Sequence, residues 1–162
     1  MMGPDLLGRL VDEHAAALVV YARQWCSTPD DVVQEAFVKL VAQRVPPAQP
    51  VAWLYKVVRN AARSAARSAR RRQRHEADAA ARVPTWFVPT EGTGLDAATA
   101  AAALQALPDE QREAIVAHLW GGLTFEQIAD VMNTSSSTAH RWYQAGLSVL
   151  RERLGVPCPK AK

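Results

Sequence analysis

The stretch PVAWLYKVVRNAARSAARSARRRQR, residues 50–74, decides how this chain is read. It is rich in alanine and has no alternating β-branched run, so its intrinsic preference is helical. Pro50 suits a first helical turn, where a missing donor does no harm. Leu54, Val57, Val58, Ala61 and Ala65 recur at helical spacing and predict a buried face. Trp53, Lys56, Asn60, Arg63, Arg67, Arg70 and Arg74 follow one another at steps of three or four and form a second stripe, with Arg71 beside its end. Between residues 59 and 74 there are seven arginines and no acid. Guanidiniums bind phosphates and displace counterions, an indole can stack on an unpaired base, and a carboxamide can pair with a base edge. The stripe is therefore a candidate nucleic-acid surface, with bases handled near its start and a backbone held along its C-terminal half. The plain alternative is a solvated basic face with Trp53 in the core.

Working outward, 162 residues with a formal charge of +3 suffice for one medium domain or two small ones. The two cysteines, Cys26 and Cys158, are far apart, and no Cys/His group has zinc spacing. A reducing cytoplasm is expected. Residues 1–14 carry acids early and lack an apolar core segment, so no secretory leader is expected. No run of about twenty apolar residues predicts a membrane span.

On the N-terminal side, residues 6–24 read as a helix, with Leu7, Leu10, Val11, Ala15, Leu18 and Ala22 inward. STPDD, residues 27–31, supplies a start signal: Ser27 or Thr28 as N-cap, Pro29 in the first turn, acids at the positive helix end. A second helix is predicted over residues 29–43, with Val33, Ala36, Phe37, Leu40 and Val41 facing a core. Asp31, Gln34 and Glu35 lie on a separate stripe. RVPPAQP, residues 44–50, breaks the helix. The third helix is expected to run to about residue 81. RVPTWFVPTEGTG, residues 82–94, reads as a flexible linker in which Trp86 and Phe87 suggest docking onto something.

On the C-terminal side, residues 95–107 form one predicted helix. LPDEQREAIVAHLWGG, residues 107–122, gives another, started by Pro108 and ended by Gly121. In LTFEQIADVM, residues 123–132, Thr124 and Gln127 have capping-box spacing. In residues 133–154, Asn133 suits a turn and Ser135 an N-cap. Two short capped helices joined by such a turn predict a helix-turn-helix. The start of its second helix offers Ser136, Ser137, Thr138, His140, Arg141 and Gln144 to a groove, with Ala139, Trp142 or Tyr143, and Leu147 inward. There is no glycine-rich phosphate loop and no nucleophile–base grouping, and His118 reads as structural. No enzyme and no cofactor are expected.

In this order, PDDVVQEAFVKL, PVAWLYKVVRNAARSAARSARRR and ALPDEQREAIVAHLWGGLTFEQIADVM resemble an extracytoplasmic-function sigma factor of the bacterial sigma-70 family, over residues 6–154. The resemblance implies an all-α protein of two small helical domains. Residues 1–81 would be the region 2 domain, 82–94 the linker, 95–156 the region 4 helix-turn-helix domain and 157–162 a tail. It implies binding to core RNA polymerase, promoter recognition and help in DNA melting, with no membrane and no small-molecule substrate. Asp31, Gln34 and Glu35, with Phe37 and Val38, would dock on the clamp coiled coil of the polymerase β′ subunit. Trp53, Lys56, Asn60, Arg63, Arg67, Arg70, Arg71 and Arg74 would meet the minus-ten element, with Asn60 at the position that captures a flipped base. Thr124, Ser136, Ser137, Thr138, His140, Arg141 and Gln144 would read the minus-thirty-five element. The β flap is a further implied partner, an anti-sigma factor another, and the linker would run towards the RNA exit channel.

Some residues depart from the family pattern. SSTAHRWYQAG, residues 136–146, has serines for the usual glycine, Trp142 and Ala145 for usual basic residues, and Gly146, which is expected to interrupt the helix. The usual acid after Asn60 is missing, and YARQWC, residues 21–26, is atypical. A stand-alone helix-turn-helix regulator with an N-terminal dimerisation or sensor domain is the alternative. An RNA-binding or structural adaptor would leave the capped helix-turn-helix unexplained.

Overall fold

Caps and prolines divide the chain into seven helices among the described residues, which in this computed structural model are 3–75 and 97–156. They are α1 (Pro4–Ala22), α2 (Pro29–Val41), α3 (Pro50–His75), α4 (Ala97–Gln105), α5 (Asp109–Leu119), α6 (Phe125–Met132) and α7 (Ser136–Leu154). No strand occurs among those residues, in line with the all-α expectation. The predicted extension of α3 over residues 76–81, the linker with Trp86 and Phe87, and the tail lie outside the described residues.

Two compact units divide the chain, one built on α1–α3 and the other on α4–α7. In the first, each helix packs on both others. α2 begins with Pro29 at N1 behind Thr28, whose side chain makes no cap bond, while Asp30 and Asp31 sit at the positive helix end. The core gathers Leu10, Leu18, Tyr21 and Ala22 from α1, Val32, Val33, Ala36, Phe37 and Leu40 from α2, and Leu54, Tyr55, Val58 and Ala62 from α3. Burying a Leu or Val side chain contributes about 1.5–3 kcal/mol each.

The core-facing sides differ in detail from the sequence expectation. Val11 and Val41 are exposed. On α3, Val57, Ala61 and Ala65 are only half-buried, and Tyr55 and Ala62 take the central positions. The Tyr55 ring meets that of Tyr21 edge-on at 4.9 Å, so the helix turns its aromatic residue inward between its neighbours.

In the second unit, Leu104, Leu107 and Ile115 form a core onto which Tyr143, Leu147, Val149 and Leu150 of α7 pack. Arg112 is buried and closes the end of α4. Its Nη1 donates to the carbonyls of Gln105 (3.2 Å) and Leu107 (3.4 Å), and its Nη2 pairs with Asp109 at 2.6 Å. Helix-end carbonyls otherwise lack partners, so the guanidinium satisfies the last carbonyl of α4 and one in the turn that follows it. α5 ends at Leu119 with Trp120 as its C-cap, so Gly121 follows the helix end as read from sequence, while the positive φ (+65°) belongs to Gly122.

The helix-turn-helix forms through local bonds. Thr124 N–H donates to Gln127 Oε1 (3.0 Å) and Gln127 N–H to Thr124 Oγ1 (3.3 Å), which completes the capping box. Asn133 supplies the left-handed turn (φ 56°). Ser135 caps α7 by accepting from Thr138 N–H at 3.2 Å. α7 then runs unbroken through Gly146, contrary to the expected interruption.

Candidate nucleic-acid interface

On α3, Trp53, Lys56 and Arg63 are half-buried, whereas Asn60, Arg67, Arg70, Arg71 and Arg74 are exposed. The seven stripe residues therefore share one face, and Trp53 is not a core residue. Arg67, Arg70, Arg71 and Arg74 border an open recess of about 300 Å³. Arg71 Nη2 donates to Ser68 Oγ at 3.4 Å, which leaves its other donors outward. A recess walled by guanidiniums suits phosphate oxygens, which accept bidentate bonds.

Asn60 also borders a groove of about 570 Å³ between α2 and α3, together with Glu35, Lys39, Val57, Ala61, Ser64, Ala65 and Ser68. Small residues keep its α3 wall low, and an ion pair between Lys39 and Glu35 (2.8 Å) lies across from them. Lys39, Val57 and Ser64 were missed in the sequence. The groove needs α2 and α3 to be placed side by side, and no local pattern reports that.

On α2, Asp31, Gln34, Glu35 and Val38 are exposed, the last by 68%. Phe37 is not part of that face: its side chain is buried in the core, because it lies with Val33, Ala36 and Leu40 on the inward stripe. The outward face thus combines acid, amide and valine side chains.

In the second unit, Ser137, His140, Arg141 and Gln144 are exposed along α7, and Ser136 and Thr138 are half-buried at its start. Thr124 is exposed, but its hydroxyl serves the capping box. Ala139 is buried. Tyr143 supplies the inward aromatic contact: its ring meets His118 at 4.8 Å and Phe125 at 5.4 Å. His118 stacks on Phe125 at 4.6 Å, and His140 meets the Phe125 edge at 4.8 Å. His118 Nδ1 lies 2.8 Å from the Leu123 carbonyl, which only accepts, so Nδ1 carries the proton. His118 therefore ties the turn after α5 to both helices of the motif, in keeping with its structural reading.

Burial pushes the Cys26 thiol up, and it donates to the Ala22 carbonyl at 3.5 Å. Among the described residues no group of three or more His, Cys, Asp or Glu could hold a metal ion, and no helix is long and apolar enough to cross a membrane.

Residues 10–72 match the family Sigma-70 region 2, and residues 99–150 match Sigma-70, region 4. No curated protein matches the chain. Among solved structures, the chain is similar to the sigma factor RpoE in its co-crystal structure with the anti-sigma factor NepR from Bartonella quintana. That likeness has 22% identity and a TM-score of 0.75, and it covers 96% of this chain and 100% of the other. It is also similar to CnrH in its complex with the cytosolic domain of CnrY, at 23% identity and a TM-score of 0.62, over 96% of this chain and 92% of the other. At these identities the structural likeness speaks to the fold, and the two family matches carry the kinship. With region 2 on the α1–α3 unit and region 4 on the helix-turn-helix, the chain belongs to the extracytoplasmic-function group of the sigma-70 family.

Proposed function

We propose that this sigma factor binds core RNA polymerase through the exposed face of α2, directs it to a promoter and promotes melting through α3. The observation that carries the reading is Asn60, exposed at the head of a line of arginines on α3 and bordering the groove beside α2. Flipping a base costs a few kcal/mol of unstacking. A pocket with a carboxamide, followed by guanidiniums on the adjoining backbone, offsets that cost. Asp31, Gln34, Glu35 and Val38 form a surface whose charge suits a basic, amide-bearing partner, and the clamp coiled coil of β′ is the proposed one. Region 4 reads the duplex minus-thirty-five element through Ser136, Ser137, Thr138, His140, Arg141 and Gln144, and it meets the β flap. Residues 1–81 and 95–156 act as the two modules, joined by 82–94, and the protein works in the cytoplasm. RpoE and CnrH were each solved with a bound partner, the former's an anti-sigma factor. A corresponding inhibitor is proposed for this chain.

The test is run-off transcription with core polymerase, paired with permanganate footprinting of the bubble. Asn60→Ala is expected to cut open-complex formation while co-elution with core stays unchanged. Equal loss of both would remove Asn60 from the melting step, and no transcript from any promoter library would sink the sigma role. A stand-alone regulator would bind duplex DNA with full specificity in the absence of polymerase.

A further inference from the structure

We infer that Trp25 is a positioning residue that holds the Arg63 guanidinium ready for a phosphate of the melted strand. The inference rests on the proposed function of α3. Trp25 follows α1 in the turn that leads to α2, and its backbone N–H donates to the Ala22 carbonyl at 3.1 Å. Its ring is fixed from inside: it meets the buried Tyr21 edge-on at 5.2 Å and 85°, and Tyr21 in turn meets the buried Tyr55 of α3. The Arg63 Cζ lies 6.0 Å from the centroid of the Trp25 ring. Both side chains are half-buried, at the edge where the α3 stripe passes the end of α1.

This arrangement has a chemical consequence. The indole attracts the guanidinium through its ring quadrupole and is not a lone-pair acceptor, so the contact does not saturate the five N–H donors. Arg63 has no hydrogen-bond acceptor among the described residues. Its donors therefore remain available for the two oxygens of a phosphate, while the ring contact narrows the rotamers that would otherwise be lost on binding. The exposed Arg67, Arg70 and Arg74 have no such platform among the described residues. Arg63 is thus the pre-set member of the line, one turn beyond Asn60 and next to the place where a flipped base would leave the stack. Trp25 acts through Arg63 and need not touch DNA.

The experiment uses the full chain assembled with core polymerase, a fluorescent bubble template and a salt titration. Arg63→Ala is expected to lower affinity and reduce the salt slope by about 0.7, the value for one phosphate contact on a single strand. Trp25→Leu is expected to lower affinity about three- to fivefold with the slope kept, because the charge still arrives. Trp25→Phe should recover most of that loss. In the Arg63→Ala background, Trp25→Leu should change little. Trp25→Leu behaving as wild type, an equal loss in both backgrounds, or no recovery by Trp25→Phe would overturn the inference. If Trp25→Leu does not fold, the same cycle run with Trp25→Phe decides: a small loss seen only with Arg63 present supports it, and additivity overturns it. Arg63→Ala without effect would sink the phosphate role of the stripe as well, which separates the two failures.

Discussion

Gly146 of α7 lies directly against Ile115 of α5: a Cβ built at position 146 would come 2.7 Å from Ile115 Cδ1 and 3.2 Å from Gln111 Cβ. A side chain at position 146 fits only if the Ile115 methyl and Gln111 shift. Ile115 is fully buried, so its side chain has no free volume to retreat into.

Gly146→Ala is therefore expected to destabilise the protein. The gain in helix propensity is about 1 kcal/mol, and overpacking costs roughly 1–3 kcal/mol. A net loss of up to about 2 kcal/mol in urea unfolding is expected. Ile115→Val removes the clashing methyl, so the double variant should lose less than the sum of the two single losses. Strict additivity would show that the clash is relieved elsewhere.

Tyr55→Phe should stabilise the α1–α3 unit. The Tyr55 hydroxyl is buried and has no hydrogen-bond partner, and burial pushes its pKa well above the usual phenol range. Removing an unsatisfied hydroxyl and keeping the ring contact with Tyr21 is expected to gain about 1 kcal/mol. The sign of the pH effect follows from the direction of the shift. The folded state resists ionisation, so stability is constant below the unfolded pKa of about 10 and falls as pH rises beyond it. Phenylalanine has nothing to titrate, so the gap between variant and wild type should widen in alkali. A gap that stayed constant in alkaline unfolding curves would contradict the burial of this hydroxyl.

These two cases also show what could be read from sequence. The helix-turn-helix was legible because its determinants are local: Thr124 with Gln127, Asn133, and Ser135 with Thr138 all act within four residues. The stripe of α3 was legible because charge marks it. The buried face of the same helix was legible only in part: Leu54 and Val58 are core as read, but Ala61, Ala62, Ala65 and Ala66 give periodicity nothing to choose between, and Tyr55 does not announce itself as core. Gly146 reads as an interruption in sequence because only Ile115, far away in the chain, shows why it is needed. Trp25 and Arg63 meet through tertiary packing alone, so the atypical Trp25 had no visible reason.

Arg112→Ala should destabilise the second unit by about 2–3 kcal/mol, since charge-assisted bonds to the carbonyls of Gln105 and Leu107 and to Asp109 vanish together. Arg112→Lys should recover only part of this, because an ammonium lacks the planar fork. Chemical denaturation followed by near-ultraviolet dichroism would check it. A loss below about 0.5 kcal/mol would assign the closing of α4 to other groups.

The exposed face of α2 allows stability and docking to be separated. Glu35 pairs with Lys39 at 2.8 Å, but both are well exposed, so losing the pair should cost at most about 0.5 kcal/mol. Gln34→Ala combined with Glu35→Lys should therefore leave the unfolding midpoint nearly unchanged and weaken association with core polymerase by tenfold or more, on the order of the 1.4 kcal/mol that a charge reversal at an interface supplies. Unchanged co-elution with core would remove this face from the docking surface.

Arg67 and Arg70 border the same open recess and are exposed, so neither supports the core. Replacing both with alanine should leave folding intact, because exposed helical arginine and alanine have similar propensities. If each meets one phosphate, the slope of log affinity against log salt should fall by about 0.7 per arginine on single-stranded DNA and about 0.9 on duplex. The size of the fall thus reports which form of DNA lies along this part of α3, and a slope equal to that of wild type on a bubble template would move the backbone off these side chains.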